Sequence, residues 1–240
     1  MIRLFRVTVA LFCTAKISAL SGNASHRSGS ATGNAIDRRS MLQISTASAV
    51  AGVLTNQASP ARAAALAPPG PPSDALLKAV GGKPVLGAES IMSQKEHGTS
   101  SQPVQSELLY GVSNQLADKI CNYNRHFAEM GGSFRSTNWE DAILAAKGKP
   151  VAFYDSVTGK PLFVAPIGRS AEELLAESET HGWPSFRDEE VVWDNVRVLR
   201  SSGETVSVDG THLGHNLPDR SGNRYCINLV SIAGQPANQA

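Results

Sequence analysis

Residues 190–215, EVVWDNVRVLRSSGETVSVDGTHLGH, alternate apolar and polar side chains on both sides of the turn SSGE. Alternation at a period of two puts every second side chain on one face, so this stretch predicts antiparallel strands with one buried face. KPVAFYDS (149–156) and KPLFVAP (160–166) flank the turn VTG and predict a further hairpin, and RYCINLVSI (224–232) closes the set. Three helices are expected beside these strands. In 105–132, Leu108, Leu109, Val112, Leu116, Ile120, Tyr123 and Phe127 recur at steps of three and four, the stripe of one long helix, with Gly131-Gly132 ending it. Residues 137–148 carry a Thr137/Glu140 capping box and 170–178 a Ser170/Glu173 box. The expected class is α+β: a small antiparallel β domain with short helices before and within it.

The organisation follows from composition shifts. Residues 1–63 hold seven of the 22 basic residues and one of the 21 acidic ones, which leaves residues 64–240 with a net charge of −5. An acidic remainder excludes an electrostatic nucleic-acid binder. MIRLFRVTVALFCTAKISALSG reads as a secretory signal, and the Ser-, Ala- and Arg-rich stretch after it as a transit peptide. Arg38-Arg39 before a small-apolar run, with an A-x-A site at Ala61-Arg62-Ala63, resembles a twin-arginine export signal. Three addresses in series fit a plastid thylakoid lumen; a bacterial periplasm is the alternative. The apolar runs are shorter than the roughly 20 residues a membrane span needs, so stable insertion is not expected. Residues 64–104 are expected as a Pro-rich and polar linker, 105–148 as a helical part, and 149–240 as the main domain.

The chemistry concentrates in HLGHNLPDRSGNRYCIN (212–228). On a strand over 224–232, Tyr225, Ile227 and Leu229 share one face and Arg224, Cys226 and Asn228 the other. A cation beside a thiol favours the thiolate, which is the nucleophile. The plainer alternative is a cysteine filling space in a strand, since free cysteines are commonly buried. His212, His215 and Cys226 could ligate a metal, but structural zinc takes four ligands and the chain has no Cys-x-x-Cys pair; Asp209 or Cys121 would have to complete the set. The histidines could equally cap strand ends. In HGWPSF, Trp183 lies between Gly182 and Pro184, on a rigid turn, either as the wall of a pocket or as a core tryptophan.

The blocks GWPSF, GTHLGHNLPD and GNRYCIN, in this order and spacing, resemble the methionine-R-sulfoxide reductases (MsrB). The resemblance covers about residues 150–235, from TGKPLF onward, and omits 105–132. It implies an MsrB-like β-sheet fold and reduction of methionine-R-sulfoxide, in proteins or free. It makes Cys226 the catalytic cysteine, His212, His215, Asn228, Arg224 and Asp219 further site residues, and Trp183 and Phe186 substrate-binding residues. Cys226 would become a sulfenic acid and be recycled by a thioredoxin-like reductant. Oxidised proteins or methionine sulfoxide would be its substrates.

Two departures qualify what the resemblance carries. The four thiols that hold zinc in many family members align with Asp155, Thr158, Val206 and Asp209, so a zinc-free branch with no metal or other cofactor is expected. The common resolving cysteine is replaced by His181, which leaves Cys121 as a candidate resolving thiol, with direct resolution by an external thiol as the alternative. A different kind of function is a partner-binding module that keeps the fold without catalysis.

Overall fold

Six strands build one sheet in a computed structural model that describes residues 70–237. They are β1 (Leu86–Gly87), β4 (Ser185–Phe186), β5 (Val196–Leu199), β6 (Glu204–Ser207), β7 (His212–Asn216) and β8 (Tyr225–Ile227), in the order β1-β5-β6-β7-β8-β4. A second sheet is the hairpin of β2 (Val151–Tyr154) and β3 (Pro161–Ala165). All neighbours are antiparallel except β1, which lies parallel to β5. The strands β5 to β7 follow each other through short turns, as the alternation from 190 to 215 predicts, and β8 lies in the stretch 224–232 expected to close the set. The expected α+β class with a mostly antiparallel sheet is therefore what the chain forms.

The core follows the alternation. Tyr225 and Ile227 are fully buried on one face of β8, while Cys226 between them is half-buried on the other. Phe163 and Phe186 stack at 4.4 Å, and Phe153 meets Phe186 edge-on at 5.3 Å. Full burial of an aromatic ring removes the largest apolar areas a side chain has, so this cluster dominates the hydrophobic contribution.

Helices depart most from expectation. The stretch 105–132 is not one helix. Tyr110 and Gly111 both have positive φ, which breaks the chain before α2 (Asn114–Asp118) begins at its Ser113 cap. α2 runs into one wide turn, Lys119–Tyr123, and Asn124 ends it in a non-helical conformation. Residues 124–132 then leave the helical path because tertiary hydrogen bonds replace the helical ones. Tyr123 and Phe127, expected on the apolar stripe, are 58% and 50% exposed. In α3 (Trp139–Ala145) the Thr137/Glu140 box does not form: Thr137 Oγ1 donates to Phe134 O and accepts from Trp139 N. The Ser170/Glu173 box does form, at the start of α4 (Ala171–His181), which runs three residues past its expected end and stops at Gly182 with φ +86.

Two further corrections concern the sheet. Residues 64–104 are not a bare linker where described: α1 (Asp74–Ala79) and β1 lie there, and β1 extends the sheet. The strand expected over 224–232 lasts three residues and then turns into a 3-10 helix, Leu229–Ser231. The expected targeting segments, 1–63, lie outside the described residues. No helix among the described residues is long and apolar enough to cross a membrane.

Candidate active site

One register row crosses the sheet at the site. Glu204 on β6 pairs with His215 on β7, His215 with Cys226 on β8, and Cys226 with Ser185 on β4. Directly opposed residues on adjacent strands project to the same side, with Cβ atoms about 4.5–5.5 Å apart. The row therefore sets a carboxylate, an imidazole, a thiol and a hydroxyl along one face. The sheet brings β7 and β8 close because of Gly214: a Cβ there would lie 1.9 Å from Cys226 O.

His212 and His215 are three apart, a spacing that puts two side chains on opposite faces of a regular strand. A β-bulge corrects this. Thr205 pairs with Gly214 and Val206 with His212, so Leu213 has no partner on β6 and turns into the core. The extra residue restores both histidines to one face, and their rings meet edge-on at 5.8 Å. His212 is buried, and its Nδ1 lies 2.7 Å from Glu204 Oε1. The Glu204 carboxyl is held below its ordinary value. Burial pushes it up, but hydrogen bonds from His212 and Arg125 and their charges outweigh that. Half-burial pushes His215 down, with the charges of His212 and His126 adding to it, so it favours the neutral ring.

Arg224 places its Nη1 against Cys226 Sγ. A guanidinium N–H has no acceptor role, so the contact is one in which the sulfur accepts. Asp219 lies 3.5 Å from Arg224 Nε, but its main partner is Arg187, at 2.8 and 3.1 Å. The Arg187 hydrogen bonds hold the Asp219 carboxyl down to about 2. Arg187 also bonds Glu177, and Arg169 joins Glu177 to the buried Glu190. Ligand atoms of Glu177, His181 and Asp219 come within 4.8 Å of one another and could hold a metal ion. Arg187 already bridges the two carboxylates there, which neutralises the charge a cation would need.

Residues 124–132 strap the site. Asn228 Oδ1 accepts from Glu129 N and its Nδ2 donates to Leu213 O. Trp183 Nε1 donates to Glu129 O, and Gly131 lies against the Trp183 ring. Asn228 is buried with both side-chain atoms engaged, so it positions the strap and the bulge rather than offering a free amide. Trp183 stays half-buried where the chain enters β4, whose Ser185 faces Cys226.

Phe186 is not a pocket residue. It pairs with Tyr225 and points into the core, fully buried. Cys121 is also fully buried, with its Sγ 3.5 Å from Ser231 Oγ; burial pushes its thiol up, and both described cysteines are free. A resolving thiol must be reachable as a thiolate, so Cys121 is not set up for that role. Of the positions that the resemblance aligns with zinc ligands, Asp155 is buried and accepts from Thr211 Oγ1 at 2.9 Å and Val157 N at 2.8 Å, and Asp209 pairs with Lys160. Direct hydrogen bonds thus join the two turns.

Glu204, Arg125 and Glu129 did not stand out in the sequence. Glu204 reads there as a turn residue of SSGE, and the other two lie where a helix is expected; only the polar run NYNRHF (122–127) marks that segment. No family model, curated protein or solved structure matches the chain.

Proposed function

We propose that the protein reduces methionine-R-sulfoxide to methionine through Cys226, on an MsrB-like fold. The observation that carries the reading is the half-buried Cys226 with the Arg224 guanidinium against its sulfur and His215 directly across the strand pair. The Cys226 thiolate attacks the sulfoxide sulfur while an imidazole gives a proton to the oxygen. The hydroxyl then passes to the Cys226 sulfur: a Cys S–O bond forms as the Met S–O bond and the new Cys S–Met S bond break, so methionine leaves and Cys226 is a sulfenic acid. The sulfoxide sulfur gains two electrons and the cysteine sulfur loses two. Two thiols of an external, thioredoxin-like reductant then become a disulfide as they return Cys226 to the thiol and release the oxygen as water, a course that the burial of Cys121 favours over internal resolution. Trp183 offers an aromatic wall for the S-methyl group. Oxidised proteins of a thylakoid lumen are the substrates that the sequence of residues 1–63 suggests, with a bacterial periplasm as the alternative.

The test incubates the full chain with a chemical dithiol and follows R- and S-methionine sulfoxide separately. Loss of the R form alone, abolished in Cys226→Ser, is expected. A folded protein that consumes neither form would overturn the reading and favour a partner-binding module.

A further inference from the structure

Glu204 is a buried carboxylate that the reaction above does not use. It is 3% exposed, and a carboxylate there needs partners to offset its lost hydration. It has two. Arg125 donates from Nη2 at 2.6 Å and from Nε at 3.0 Å, and His212 meets the other oxygen at 2.7 Å. Arg125 is itself held from behind by Glu89 at 2.8 Å. A carboxylate on Nδ1 fixes the ring so that Nδ1 carries a proton and Nε2 lies on the far side, the logic of a carboxylate–histidine pair.

We propose that Glu204, clamped by Arg125, is a positioning residue that keeps the proton of His212 on Nδ1 and leaves Nε2 as the atom that passes a proton to the sulfoxide oxygen. This rests on the reductase reading for its consequence, but not for its geometry. The two histidines then divide the labour: His212 carries the proton, and His215, neutral beside it, orients the oxygen. Glu204 from β6 and His215 on its own strand face His212, with Arg125 of the strap holding the other side of the Glu204 carboxylate and Glu89 behind Arg125.

In full-length Glu204→Gln, kcat is expected to fall about 10- to 100-fold, with KM within about twofold. Glu204→Asp should restore part of the rate. Independently of activity, long-range ¹H–¹⁵N spectra should show the His212 ring with its proton on Nδ1 in the parent, and moved toward the Nε2–H tautomer in Glu204→Gln, whose amide oxygen is held by Arg125 and whose N–H then faces Nδ1. Where Glu204→Gln does not fold, the parent decides alone: an Nε2–H ring at His212 overturns the proposal. An unchanged tautomer in a folded Glu204→Gln overturns it even if the enzyme is active. A changed tautomer in a protein that reduces no sulfoxide sustains the geometry and overturns only the reductase reading.

Discussion

Gly214 and Gly131 separate two uses of a glycine at the same site. A Cβ on Gly214 would lie 1.9 Å from Cys226 O, inside a hydrogen-bonded strand pair that cannot give way. A Cβ on Gly131 would meet the Trp183 ring at 3.4 Å, an ordinary contact. Gly214→Ala is therefore expected to displace β7 from β8 and lower the thermal midpoint sharply, while Gly131→Ala leaves it nearly unchanged; equal midpoints for the two variants would refute the argument. Phe186 makes a different point at the same scale. Its stack on Phe163 and its full burial predict a loss of about 3–5 kcal/mol in urea unfolding of Phe186→Ala. A loss below about 1 kcal/mol would return it to the pocket. The face of Cys226 was legible because alternation alone decides it. The face of Phe186 was not, because it depends on pairing with Tyr225 across a gap of nearly 40 residues.

β2, β3 and β5 to β8 were legible as elements because their signal is local, a period of two and a turn between runs; β1 and β4, two residues each, carry no such signal and were not. The strap 124–132 was not, because its conformation is set by groups far away in sequence. Its apolar spacing fits a helix, yet Asn228, Trp183 and Glu204 bind it in another shape. The bulge at Leu213 was hidden for the same reason, since only the pairing of β6 with β7 reveals it. Asn228 links both features: Asn228→Ala leaves Glu129 N–H without its partner and takes one of two hydrogen bonds from Leu213 O, which keeps the Asn228 backbone N–H. The orphaned buried N–H costs about 1–3 kcal/mol. Hydrogen exchange at the Glu129 amide is expected to accelerate more than that of the β5–β6 amides, with Trp183 fluorescence moving toward its solvated spectrum. Uniform acceleration across the sheet would mean that Asn228 supports the fold generally and has no special hold on the strap.

Across the whole molecule, two buried carboxylates tie distant segments together and respond to pH with opposite sign. Asp155 joins the β2–β3 hairpin turn to Thr211 before β7, and Glu204 joins β6 to the strap and through it to Glu89. Burial pushes the Asp155 carboxyl above its ordinary 3.8, although its hydrogen bonds work against this. A folded value above the unfolded one means that the folded state binds the proton more tightly. The stability it contributes is then complete below 3.8 and falls as pH rises through the folded value. For Glu204, held below its ordinary 4.5 by His212 and Arg125 against burial, the contribution is present above 4.5 and is lost as pH falls through the folded value. Replacing each carboxyl by its uncharged amide removes the pH dependence of that group alone. The urea midpoint of Asp155→Asn relative to the parent is therefore expected to rise from pH 3 to pH 7, and that of Glu204→Gln to fall over the same range. Slopes of the same sign in the two variants would show that burial does not outweigh the hydrogen bonds at Asp155, and that the hairpin is held by a carboxylate rather than by a protonated acid.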